Sequence, residues 1–228
     1  MSWKEEAASE KKKLKNMSLG DKLWYIWEYY KLHMLGIVLA IAAIWIIAGS
    51  LYRQTFDTRL SIAIINDKSS GFSTTESFEA DLKSYLDFGP KDLLELDTGL
   101  TADFDAPAMS EYDYASLAKI SALVASKSLD VMVSDEKTIR HYAEQGAFSD
   151  LTELLPTDLL AKVEDHLIEM PVAQEEGQTP TPAPVALSIE GTRMFDGTGI
   201  SVDSPTVAIM GNSLRKEDAV ALISYLFE

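Results

Sequence analysis

The chain has 228 residues, 46% of them hydrophobic and 25% charged, with no cysteine and a formal net charge of −16. The missing cysteine excludes a disulfide framework, a thiolate metal site, an iron–sulfur cluster and a cysteine nucleophile. Thirty-six acids against twenty Lys and Arg exclude a broad basic face for nucleic acid, and His33, His141 and His166 share no short spacing that would suit zinc.

The charge is unevenly divided. Residues 1–52 carry seven lysines against five acids, whereas 53–228 carry thirteen Lys and Arg against thirty-one acids. Residues 1–17 are Lys- and Glu-rich and predict a solvated cytoplasmic tip. Ser18-Leu-Gly-Asp21 has the capping-box pattern, and Leu19, Leu23 and Trp27 recur at helical spacing with Ile26 and Tyr30 beside them. Residues 18–31 therefore predict an amphipathic helix lying in the lipid headgroup layer, or one that docks on another membrane protein.

From Leu32 to Tyr52 no residue is formally charged. At ~1.5 Å per residue this run spans about 31 Å, the thickness of a bilayer's hydrocarbon core. Trp24, Trp27, Tyr29, Tyr30 and Tyr52 fall where aromatic side chains anchor a span at the interface. Lysines 11, 12, 13, 15, 22 and 31 precede the run and only Arg53 and Arg59 follow it closely. The positive-inside rule then predicts a single-pass protein of the cell membrane, N-terminus in the cytoplasm and residues 53–228 outside. The long leading segment favours an uncleaved signal anchor over a cleaved signal peptide.

Within 53–228, Leu60 to Asn66 predicts a strand buried on both faces. Thr74 or Thr75 caps a helix to about Leu86, and Leu93 to Leu96 is a second short strand. Asp97 to Asp113 is an acidic loop, followed by a helix over 110–125. A strand at 129–133 leads into a helix at 135–144 that Gly146 closes. Leu151 to Pro156 is a short turn or 3₁₀ segment, and 158–169 a further helix. Residues 174–184, with Thr-Pro-Thr-Pro-Ala-Pro, predict an exposed connector. Strands at 184–188 and 205–210 and a helix over 216–227 complete the chain, with Glu190 to Gly199 as a hairpin. Strands alternating with helices predict an α/β sandwich.

The stretch 128–156 (Ser-Leu-Asp-Val-Met-Val-Ser-Asp-Glu-Lys-Thr-Ile-Arg-His-Tyr-Ala-Glu-Gln-Gly-Ala-Phe-Ser-Asp-Leu-Thr-Glu-Leu-Leu-Pro) resembles the extracellular solute-binding proteins of ABC importers. So does Val207 to Leu226, with its Asn-Ser-Leu-Arg-Lys-Glu-Asp-Ala helix start. The resemblance implies a reduced periplasmic-binding-protein-like domain, anchored by a helix in place of a lipidated cysteine, that binds a small solute beside an importer permease. It carries over no ligand residues, because the matched positions are packing positions. The N-terminal architecture is similar to that of membrane proteins of Gram-positive bacteria.

Few side chains suggest chemistry. Asp103 and Asp105 are candidate calcium ligands, though the loop has neither the glycine nor the terminal Glu of an EF-hand. Tyr112 and Tyr114 are candidates for an exposed aromatic platform in a ligand site. Asp135 with Glu136 is a candidate acid pair, though both already have a structural role in a helix's first turn, and His141 is a surface or packed histidine. No serine stands in a nucleophile-elbow context. The expectation is a non-enzymatic protein without cofactor whose partners are the bilayer and an importer or other membrane protein, not nucleic acid. The alternative is a structural or regulatory subunit that binds protein alone.

Overall fold

The computed structural model describes residues 18–69, 74–104, 108–173 and 180–228. The chain divides into two compact units, Met1–Thr55 and Phe56–Glu228.

Among its described residues the first unit is a single helix, α1 (Leu19–Arg53), of 35 residues. Residues 18–31 and 32–52, expected as two separate helices, are joined in this one from Leu19 onward. At ~1.5 Å per residue it is about 52 Å long, well beyond a hydrocarbon core of roughly 30 Å. A separate in-plane helix would need a sharp bend near residue 31, and neither a proline nor a glycine pair stands there to make one. Lys31–Arg53 is long and apolar enough to cross a membrane, with mean hydropathy 2.5 and no residue buried.

The second unit runs β1 (Asp57–Ile65), α2 (Glu76–Tyr85), β2 (Asp92–Leu100), α3 (Glu111–Ala125), β3 (Val131–Asp135), α4 (Glu136–Ala143), α5 (Leu151–Leu154), α6 (Thr157–Val163), β4 (Leu167–Val172), β5 (Thr181–Ser188), β6 (Pro205–Ile209) and α7 (Lys216–Leu226). The strands form one six-stranded sheet in the order β2-β1-β3-β6-β5-β4. β1 pairs in parallel with β2 and β3, and the remaining pairs are antiparallel.

The central strands explain the layers. Side chains alternate across a strand, so Leu60, Ile62 and Ile64 of β1 face one side with Val131, Val133, Val207 and Ile209. Ala63, Ile65, Met132 and Ala208 face the other. α2, α5, α6 and α7 cover the first face through Phe78, Leu82, Leu151, Leu159, Val163 and Leu222. α3 and α4 cover the second through Ile120, Ile139 and Ala143. The outcome is a three-layer α/β sandwich, as the alternation of elements predicts.

Several segments depart from the expected pattern. Asp97 to Leu100 is not loop but the end of β2, where Asp97 accepts from the Gly99 N–H at 3.1 Å and from Lys119 Nζ at 2.5 Å. The helix expected over 158–169 ends at Val163. A 3₁₀ turn (Glu164–His166) follows, and Leu167–Val172 is the edge strand β4. The connector expected over 174–184 is also shorter. Thr181 to Pro184 belong to β5, and 174–179 lie outside the described residues. Pro182 and Pro184 are tolerated because this half of β5 pairs only with β4, while pairing with β6 begins at Ala186. Glu190 to Gly199 is no hairpin but a turn around a 3₁₀ segment, Arg193–Phe195.

Gly146 closes α4 at φ +73°, and a Cβ there would stand 2.7 Å from the Ala173 carbonyl oxygen. Backbone strain and a backbone clash act together, so Gly146→Ala should cost about 2–3 kcal/mol, beyond the ~1 kcal/mol of a left-handed residue alone. Urea denaturation checks this. A midpoint unchanged from the parent would show that the 173 carbonyl yields freely.

Candidate functional site

β1, β2 and β3 run parallel, so their carboxyl ends share one edge of the sheet. The chain leaves β1 toward the α2 face but leaves β3 toward the α4 face. Connections that part in this way open a crevice between adjacent strand ends, the usual ligand position in an open α/β sheet. A cavity of about 720 Å³ lies at this edge, walled by the segments that follow β1, β2 and β3 and by Asp203 ahead of β6.

Its floor is organised by Asn66. This residue follows β1 with φ +64°, a left-handed conformation that asparagine tolerates better than most side chains. The turn aims its amide across the strand ends. Asn66 Oδ1 accepts from the Ala102 N–H at 2.8 Å. Its Nδ2 lies 3.1 Å from the Ala102 carbonyl, 2.7 Å from Asp135 Oδ2 and 3.1 Å from Thr138 Oγ1. One side chain thus ties together the ends of β1, β2 and β3.

Asp135 is the N-cap of α4. Its Oδ1 accepts from the Thr138 N–H at 3.0 Å, and its Oδ2 accepts from Thr138 Oγ1 at 2.9 Å and Ser134 Oγ at 3.2 Å. Burial is the largest influence on it and pushes its pKa up. The donors, led by Asn66 and Thr138, together outweigh burial and hold the carboxyl below its ordinary value. Asp113 is treated alike in the first turn of α3. It accepts from Ser110 Oγ at 2.6 Å, the Ser110 N–H at 3.0 Å and Thr101 Oγ1 at 2.6 Å, and these bonds lower its pKa. Every donor to either carboxylate is neutral. Both are held toward the ionised form with no charged donor to them among the described residues.

The cations of the wall are engaged. Lys68 pairs with Asp203, and Arg140 Nη2 with Glu136 Oε1 at 2.6 Å. Asp67 accepts from the Ser69 N–H at 3.0 Å and the Ser201 N–H at 2.9 Å, pinning the loop after β1 to the segment before β6. At the rim the Phe104 ring, 39% exposed, stacks on His141 with centroids 3.9 Å apart and planes at 25°.

The residues singled out from sequence fall elsewhere or apart. Tyr112 and Tyr114 are exposed but lie in the first turn of α3, not in a loop. Two positions along a helix separates them by about 200°, so they share no platform, and the Tyr112 hydroxyl donates to the Gly99 carbonyl. Asp103 lines the crevice, whereas Asp105 lies outside the described residues. No three His, Asp or Glu side chains converge to hold a metal among the described residues. Trp24, Trp27 and Tyr52 are exposed on α1, and Tyr29 and Tyr30 belong to the same helix. Asn66, Phe104 and Thr138 were missed. The only local signals were a polar Asn-Asp closing an apolar strand and a lone aromatic among acids.

No family model, no curated protein and no solved structure matches this chain.

Proposed function

We propose that this chain is a membrane-anchored, extracytoplasmic binding domain whose ligand is a small solute held in the crevice at the carboxyl ends of β1, β2 and β3. The observation that carries the reading is that crevice. It is of ligand size, sits where the strand connections part, and its polar wall is fixed by the hydrogen bonds of Asn66. The apolar α1 and the lysine bias ahead of it support the anchor and its orientation. The resemblance of 128–156 and 207–226 to solute-binding proteins supports an importer permease as the partner.

Residues 53–228 contain no tryptophan, so Phe104→Trp places a reporter at the crevice rim. Titrating the full-length variant in detergent with sugars, amino acids and polyamines should give a saturable fluorescence change with one class. A flat response to all of them would end the solute-binding reading. In that event the exposed Trp24 and Trp27, three residues apart on one side of α1, favour the second reading, a subunit that docks through this helix. Trp24→Ala with Trp27→Ala should then release its protein partner in a pull-down.

A further inference from the structure

We infer that the solute bound in this crevice is a small organic cation, an amine or guanidinium compound, held between the Asp113 and Asp135 carboxylates and the Phe104–His141 ring stack. The inference rests on the crevice being a solute site and adds the charge of its occupant.

Three independent features converge. First, six carboxylates against three cationic side chains line the cavity, and the cations are engaged. Lys68 is held by Asp203, Arg140 by Glu136, and Lys137 has an interaction of its own. A free anion would meet a wall with no uncommitted positive charge. Secondly, Asp113 and Asp135 are kept ionised by neutral donors alone. Neither has a charged partner among the described residues, so both attract a cation, and Asp113, with three donors on about four acceptor sites, can still accept a charge-assisted hydrogen bond. Thirdly, the Phe104 ring is half-open at the rim and steadied from behind by His141. An aromatic face attracts a cation through its quadrupole, and stacking on His141 limits the freedom that binding would have to remove. A metal ion fits less well. No three acidic or imidazole groups converge among the described residues.

The experiment uses the full chain in detergent and three probe classes: arginine and spermidine as cations, maltose as a neutral polyol, glutamate as an anion. Calorimetric titration should show saturable binding of at least one cation, weakening as salt is added. Asp135→Asn keeps a side chain able to cap α4, Asp113→Asn keeps an oxygen that can accept from the Ser110 N–H in the capping box of α3, and unchanged thermal melting would confirm the fold. Each should weaken cation binding about tenfold, the loss of one charged hydrogen bond. Phe104→Ala should weaken it several-fold. Maltose or glutamate binding, with neither cation bound, would overturn the charge assignment yet leave the crevice as a solute site. Cation binding indifferent to all three substitutions would place the site elsewhere and overturn the inference. No binding of any probe, together with a silent Phe104→Trp reporter, would overturn both readings.

Discussion

Replacing Asp130 by alanine is expected to cost about 3–5 kcal/mol, the usual penalty for breaking a buried ion pair. Asp130 is 0% exposed. Its carboxylate accepts from the Ser61 N–H of β1 at 2.8 Å, from Ser213 Oγ at 2.6 Å and from Arg215 Nε at 2.8 Å. Arg215 donates onward to the carbonyls of Ser128 at 2.8 Å and Thr58 at 3.2 Å. One buried charge therefore joins the entry to β3, the middle of β1 and the turn that leads into α7. Removing the carboxylate strands three donors at once, and the guanidinium keeps only its two carbonyls. The loss is large against the ~5–15 kcal/mol by which domains are usually stable. Asp130→Asn keeps the shape and some acceptors and should cost less, about 1–3 kcal/mol. Arg59→Ala is the control. Arg59 pairs with Asp218 at 2.8 Å, but its side chain is 38% exposed, so about 1 kcal/mol or less is expected. Pulse proteolysis of the full chain across a urea series reads all three. If Asp130→Ala matched Arg59→Ala, the buried pair would be no more than a surface one.

The same network shows what was legible in the sequence. Asp130 and Ser213 lie in the two segments that carry the solute-binding resemblance, and in the fold they meet. The central strands were readable because burial on both faces demands largely apolar runs, which Leu60–Ile65, broken only by Ser61, and Val131–Val133 provide. β4 was not readable. Leu159, Val163 and Leu167 keep a helical spacing into Leu-Ile-Glu-Met-Pro-Val, and only pairing with β5 turns that run into a strand. The prolines of β5 argued for a connector until its neighbours were known. The crevice was the least legible part. Asn66 and Asp135 are 69 positions apart, and only the parallel register of β1 and β3 brings their strand ends together. A parallel pairing leaves no local turn signal, because its connection is long. Composition could show that the domain is acidic, but not that two of its carboxylates are held by neutral donors.

The second large effect concerns α1. Ile41 and Ile44 stand near the middle of the apolar run and are exposed, like Trp45 beside them. A run of this length left in water would form an apolar surface far beyond what soluble proteins present. The lipid core removes that cost and exacts another, about 2.5–3.5 kcal/mol for each arginine or aspartate at a helix centre. Ile41→Arg combined with Ile44→Arg should therefore shift insertion by about 5–7 kcal/mol and release the chain from carbonate-washed membranes. A double variant that still resists carbonate would mean that α1 is not what holds the protein there. Orientation can be read in the same preparation, since the natural chain has no cysteine to label. The Ser126→Cys variant carries its thiol at an exposed position just beyond α3, and Ser18→Cys just ahead of α1. With lysines concentrated before the span, an impermeant maleimide should label the Ser126→Cys variant in intact cells and leave the Ser18→Cys variant untouched until the cells are opened. The reverse pattern would put the crevice in the cytoplasm and remove the ground for an importer as its partner. Loss of the first fifty or so residues from the labelled Ser126→Cys protein, read by intact mass, would instead mark α1 as a signal sequence that had been cut away.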